Sequence, residues 1–236
     1  MKEEKKSGTV AFIPVRGGSR SIPLKNIKVL NEKPLVYWTV KAACSCDFID
    51  TVYVSTDSDK IKAAVEGLLL PKTKVIGRSE ETASDTAPTE SAMLEFARNI
   101  TDWENIILIQ ATSPLLKKED IERGYKLFLS GGCDSVFSGV RKKQFLWYDE
   151  GDHVKASYDY LNRPRRQDYS GYIVENGAFY ITKREALLRT GCRMSGNIKV
   201  CEMSEASIFE IDEPEDFIVI EAIMKNKNRG MEDREV

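Results

Sequence analysis

Residues 13–26 read Ile13-Pro14-Val15-Arg16-Gly17-Gly18-Ser19-Arg20-Ser21-Ile22-Pro23-Leu24-Lys25-Asn26, a set of groups suited to phosphate. Adjacent glycines let the main chain approach a ligand closely and turn N–H groups toward an anion. Arg16, Arg20 and Lys25 place three cations within ten residues. The arginine forks suit phosphate oxygens, and the lysine is a point charge that can follow a moving phosphoryl group. The spacing matches neither the Walker loop nor the G-x-G-x-x-G dinucleotide fingerprint. Taken alone, these residues fit a basic surface loop equally well.

The rest of the composition narrows the chemistry. The single histidine, His153, excludes a His-based metal site and makes a Ser-His-Asp triad improbable. Cys44, Cys46, Cys133, Cys192 and Cys201 are odd in number and lack a Cys-x-x-Cys pair, so buried free thiols are expected. Carboxylates, cations, backbone and a hard metal remain. Lys+Arg at 35 against Asp+Glu at 37 leaves a net charge of -2, too balanced for an overall field that attracts nucleic acid or an acidic membrane. With no apolar run of signal-peptide or transmembrane length, a cytoplasmic protein is expected.

The elements that must position these groups follow from periodicity. Residues 10–13 read as a buried first strand, 51–55 as a second and 72–76 as a third, with helices over 34–44 and 60–66 between them. Pro34 suits the first turn of the former helix, whose inward stripe is Leu35, Trp38, Thr39 and Ala42. Residues 78–87 read as a polar loop, followed by a helix over 89–99. Residues 105–109 are nearly all apolar, as a central parallel strand covered on both faces should be. A helix over 118–129 and a strand over 135–140 continue the alternation. It predicts an α/β fold, a doubly wound, mostly parallel sheet with ligands beyond the carboxyl ends of its strands. The Gly17-Gly18 loop, Thr56-Asp57, the Arg78 loop and residues 110–114 then share one rim. Helix capping and turn formation also account for Asp57 and Asp85.

From 141 to 170 the rhythm breaks into a polar, aromatic segment with Trp147, Tyr148, Tyr158 and Tyr160. A small dimerisation arm, an active-site lid and an extended hairpin all fit it. Strands over 174–182, 197–202 and 207–212, a short helix over 183–189 and a last helix from Pro214 to about 226 complete a single domain over 9–226. Residues 1–8 are expected to be flexible and 227–236 a loose tail.

At this point several motifs coincide in order and spacing. Residues 13–26, Gln110-Ala111-Thr112-Ser113-Pro114, Arg163-Pro164-Arg165-Arg166-Gln167-Asp168, Glu175-Asn176-Gly177-Ala178-Phe179-Tyr180 and Ile211-Asp212 before a helix together resemble the acylneuraminate cytidylyltransferases, or CMP-sialic acid synthetases. Residues 134–138 and 163–168 look closer to the animal enzymes than to the best-known bacterial ones. The chain is too short for the phosphatase-like domain of vertebrate members, and a catalytic domain alone is expected.

The resemblance implies a nucleotidyltransferase that moves CMP from CTP to the anomeric hydroxyl of a nonulosonic acid, releasing pyrophosphate. It implies a fold of the nucleotide-diphospho-sugar transferase type and a homodimer. Arg16, Ser19, Arg20 and Lys25 match the triphosphate loop, with Gly17 and Gly18 at its turn, and Asn26 and Arg78 match nucleotide-holding positions. Gln110, Thr112, Ser113, Arg165, Gln167 and Tyr180 match positions near the acceptor, although Tyr180 fits core packing nearly as well. Asp212 matches the family's metal-binding aspartate for Mg²⁺ or another divalent cation, and Glu210 stands where a second aspartate usually precedes it. In a strand over 207–212 both carboxylates point to one face and can converge on one ion. Capping of the helix that opens at Pro214 is an alternative reading of Asp212, and one compatible with metal binding. Three departures stand out: Arg20-Ser21 where Lys-Gly is common, Glu210 for aspartate, and Val174 where several bacterial members carry arginine. They leave two alternatives open, an enzyme for another 2-keto sugar acid of KDO or legionaminic type and a catalytically silent nucleotide-binding protein.

Overall fold

The computed structural model describes residues 8–19 and 21–232, with side chains as far as residue 226. Residues 1–7, where most of the expected flexible N-terminus falls, lie outside the described residues, as do Arg20 and residues 233–236.

The apolar runs of the sequence become the middle of one sheet. Strand β1 (Thr9–Pro14) is followed by two short strands, β2 (Val29–Leu30) and β3 (Lys33–Pro34), and by α1 (Leu35–Cys44). Then come β4 (Thr51–Thr56), α2 (Asp59–Glu66), β5 (Thr73–Gly77), α3 (Glu80–Ala83), α4 (Thr89–Asn99), β6 (Asn105–Ile109) and α5 (Lys118–Leu129). The second half holds β7 (Ser135–Lys142), β8 (Trp147–Asp149), β9 (Val154–Ala156), β10 (Tyr172–Lys183), α6 (Arg184–Thr190), β11 (Ile198–Met203) and α7 (Pro214–Glu232). Among the described residues, seven strands form the main sheet in the order β11-β7-β10-β6-β1-β4-β5. All neighbours are parallel except around β10, which runs antiparallel to both β6 and β7. The doubly wound, mostly parallel α/β architecture is thus the one the alternation predicts.

β6 lies fully buried along its length because helices cover both faces, which explains its unbroken apolar run. One face packs Ile13, Val54, Ile107 and Ile109 against α1 and α5 through Val36, Val40, Ile121 and Phe128. The other packs Phe12, Leu108 and Tyr180 against Met93, Phe96 and Leu187. A third cluster joins Ile22 of the basic loop to Leu35, Leu115, Ile211, Phe217 and Ile220. It holds the loop beside the segment that leads into α7.

The structure departs from the expectations in four places. The loop over 78–87 contains α3, capped by Ser79, whose Oγ accepts the Thr82 N–H. No strand forms over 207–212; a 3-10 turn occupies Glu205–Ile208. Asn176 Nδ2 donates to the Ser207 carbonyl (3.0 Å) and to its Oγ (3.1 Å), so this backbone finds partners without a ladder, while β11 already pairs with β7. α7 continues past the expected end near 226. Cys44, Cys46 and Cys201 are buried as expected, whereas Cys192 is exposed. Residues 147–156 form a β8–β9 hairpin whose Trp147 meets Tyr158 and Tyr160, while Phe145 packs on Tyr158 and Tyr169. Among the described residues no helix is long and apolar enough to cross a membrane.

Candidate active site

A cavity of about 300 Å³ opens at the carboxyl ends of β1 and β6, lined by Arg16, Gly18, Ser19, Lys25, Asn26, Arg78, Asp85, Gln110 and Thr112 among others. Ligand sites of open parallel sheets fall on this edge because the strands end there and loops diverge.

Each described cation of the loop is aimed by a partner. Arg16 Nη1 donates to Asp85 Oδ1 (2.8 Å) and to the Ser84 carbonyl (3.0 Å). Lys25 Nζ donates to the Ile211 carbonyl (2.8 Å) and to Asp212 Oδ1 (3.1 Å), its side chain only 13% exposed. Asn26 is buried and its Nδ2 donates to the Arg16 carbonyl (3.3 Å), bracing the loop from below. Gly17 does not line the cavity: its N–H donates to Asp57 Oδ1 (2.8 Å), and an added Cβ would lie 2.9 Å from Ser58 Cβ. Close approach to α2 therefore demands glycine at 17. The role of Asp57 extends beyond the turn expected there. Arg20 lies outside the described residues.

Arg78, at the end of β5, has one edge of its fork on the Thr82 carbonyl, while its Nε is buried without a partner. Burial lowers its pKa; Asp57 and Glu95 act against that shift, and the nearby Arg16 adds to it. A buried donor left unpaired is costly unless a ligand meets it.

On the opposite rim, Ile211 N–H donates to the Thr112 carbonyl (2.8 Å), which joins the segment before α7 to the end of β6. Gly177 adopts φ 67°, and a Cβ there would lie 3.0 Å from Gln110 Oε1 and 3.3 Å from Glu210 Oε2. Gln110 and Glu210 thus flank the bulge of β10. Burial raises the pKa of Glu210, Asp212 and Asp216 push it the same way, and Lys25 opposes them. Asp212 is therefore near enough to act on Glu210, although no strand places the two on a shared face. Asp212 Oδ1 accepts from Lys25 (3.1 Å), while the Asp216 carboxylate accepts the N–H groups of Asp212 and Glu213 (2.8 Å each). Asp212 stays 64% exposed beside Lys25. Among the described residues no three acidic, His or Cys side chains are grouped closely enough to hold a metal unaided. Two hard oxygen donors fit a cation whose remaining ligands are phosphate oxygens and water.

The remaining expected residues lie apart from the cavity. Ser113 is buried with its Oγ unpaired. Tyr180 is buried in the sheet, its hydroxyl donating to Glu175 and its ring 5.0 Å from the Arg193 guanidinium. Arg165 pairs with Asp168 (2.7 Å) on the exposed arm, where the Gln167 carbonyl accepts from Lys143 (3.2 Å). Sequence reasoning missed Glu90, which holds Arg193 through two hydrogen bonds of 2.5 and 2.9 Å beside the cavity residue Thr89. No motif marks that pair, because its members are far apart in the chain.

A basic loop, a half-buried arginine and two neighbouring carboxylates lie at one cleft of a parallel sheet, on the edge where such sheets hold their ligands. The chain belongs to the cytidylyltransferase family, whose family model matches residues 10–233. It is 37% identical to N-acylneuraminate cytidylyltransferase A of Danio rerio over 225 residues, covering 93% of this chain and 51% of that protein. It is 40% identical to the N-acylneuraminate cytidylyltransferase of Oncorhynchus mykiss over 184 residues, covering 76% of this chain and 42% of the relative. The chain thus spans about half the length of these curated relatives or less. Its fold is shared with a CMP:2-keto-3-deoxy-manno-octonic acid synthetase complexed with CTP, at TM-score 0.68 and 17% identity, covering 94% of this chain and 100% of that one.

Proposed function

We propose that this chain transfers CMP from CTP to the anomeric hydroxyl of a nonulosonic, sialic-type acid. The hydroxyl oxygen attacks the α-phosphorus and loses its proton. The bond from that phosphorus to the bridging oxygen breaks, and pyrophosphate leaves with the electron pair. The observation that carries the reading is the convergence of Arg16, Lys25, Arg78, Gln110 and Thr112 on one cavity, in a chain similar to N-acylneuraminate cytidylyltransferases.

In this reading Lys25 and Arg16 offset the negative charge that gathers on the departing pyrophosphate, with Arg20 completing the loop. Asp85 and the Ile211 carbonyl restrain those two cations before the substrate arrives, so little reorganisation accompanies the reaction. Ser19, Asn26 and the amides of Gly17 and Gly18 shape the phosphate loop, and Arg78 holds the nucleotide. Gln110 and Thr112 bound the acceptor side; Ser113 and Tyr180, which do not line the cavity, are assigned to that side by the resemblance. Arg165 and Gln167 reach an acceptor from the arm of a homodimer. Asp212 and Glu210 would hold Mg²⁺ or another divalent cation, which when bound neutralises triphosphate charge. The chain acts in the cytoplasm on small molecules rather than nucleic acid or membrane.

The test is incubation with CTP, Mg²⁺ and a panel of nonulosonic acids, KDO and legionaminic acid, with pyrophosphate release as readout. Highest kcat/KM on a sialic-type acid is expected. A preference for KDO or legionaminic acid redirects the acceptor assignment. CTP binding without turnover on any member overturns the enzymatic reading in favour of a silent nucleotide-binding protein.

A further inference from the structure

Arg78 enters the cavity from the end of β5, where a long side chain has many rotamers to choose from. One contact narrows that choice, the donation from Nη2 to the Thr82 carbonyl in α3. A helix of four residues, however, has no stability of its own. Its position must come from outside.

Glu95, in the middle of α4, provides that anchor. Its Oε1 accepts the Ser79 N–H (3.1 Å), and its Oε2 accepts the Ser79 hydroxyl (3.1 Å) and the Thr82 hydroxyl (2.5 Å). Ser79 Oγ in turn accepts the Thr82 N–H (3.3 Å). One carboxylate therefore grips both the cap of α3 and the residue whose carbonyl holds Arg78. Both of its oxygens are used, and α4 is a firm base because Met93, Phe96 and Ala97 bury its inner face.

We propose that Glu95 is a positioning residue for nucleotide binding: through Ser79 and Thr82 it sets the α3 turn that holds Arg78 in the cavity wall. The proposal rests on the CTP reading above. It separates the nucleotide side of the pocket, which depends on α4, from the acceptor side, which does not contact Glu95.

The test uses the full chain, with CTP binding followed by calorimetry in the absence of acceptor and pyrophosphate release followed under steady state. Glu95→Ala is expected to weaken CTP binding about tenfold, the worth of one charge-assisted hydrogen bond. The KM for CTP should rise in step while the KM for the sugar acid stays put. Glu95→Gln keeps one acceptor oxygen and should recover part of the loss. Because Glu95 acts through Arg78, adding Glu95→Ala to Arg78→Lys should cost little more than Arg78→Lys alone. Fully additive losses, an unchanged CTP affinity in Glu95→Ala, or an equal rise in both KM values would each overturn the proposal. If Glu95→Ala does not fold, Thr82→Val removes one clamp bond, and an unchanged CTP affinity there overturns it too. A parent chain that binds no CTP sinks the underlying reading first, and the positioning role with it.

Discussion

Lys25 and Asp212 show how single residues are committed by their neighbours. Lys25 spends two donors on the Ile211 carbonyl and Asp212, so it ties the loop to the opposite rim. Lys25→Met removes both bonds and the charge; the pyrophosphate-release rate is expected to fall about 100-fold or more, the scale of losing one preorganised transition-state donor. Asp212 and Asp216 divide two tasks that share a sequence neighbourhood. Asp212→Asn should depress turnover strongly and raise the Mg²⁺ requirement, yet leave the melting temperature nearly unchanged. Asp216→Ala removes the acceptor of two N–H groups at the start of α7, costing about 1 kcal/mol of stability. Melting curves and rates on the two variants should therefore move in opposite senses of severity.

At the scale of elements, α4 is the support for much of the site, since Glu95 steadies α3 and Glu90 binds the loop after α6 through Arg193. The Arg193 hydrogen bond holds the Glu90 pKa below its ordinary 4.5, against the opposing effect of burial. A carboxylate depressed in the folded state stabilises fully above its unfolded value and loses that contribution as pH falls through the folded one. The melting temperature should thus decline below about pH 4.5, and Arg193→Met should flatten the part due to Glu90 while lowering stability at neutral pH by about 1–3 kcal/mol. α5 depends on shape instead. A Cβ on Gly124 would come within 2.5 Å of the Phe179 ring on β10. Gly124→Ala should destabilise by about 1–3 kcal/mol through overpacking, despite alanine's better helix propensity. Thermal unfolding decides the sign.

At the scale of the whole molecule, the arm is the outlier, an aromatic hairpin standing off a sheet domain. Trp147, Tyr160 and Leu161 are exposed at 48%, 59% and 79%, more apolar surface than an isolated hairpin profits from showing to water. If the arm docks a second copy, light scattering should give twice the chain mass, and Trp147→Glu with Tyr160→Glu should shift it to the monomer. Turnover would then fall together with the dimer, because Arg165 and Gln167 sit on the same arm.

By itself the sequence determined the central strands of the sheet, most of its helices and most of the residues that line the cavity. Unbroken apolar runs such as Ile106 to Ile109 admit few other environments, and glycine pairs with cations after the first strand mark the rim in any parallel sheet. Only the tertiary structure decided the partners. Residues 207–212 read as a strand, but Ser207 bonds Asn176, Ile211 bonds the Thr112 carbonyl and Asp212 bonds Asp216, so the ladder never forms. Asp57 and Asp85 look like caps or turn residues along the chain, and nothing in the sequence singles out Glu95; in space the three hold Gly17, Arg16 and the turn behind Arg78. Local propensity reports what a residue does to its own backbone, whereas the bond that aims a side chain is made across the fold.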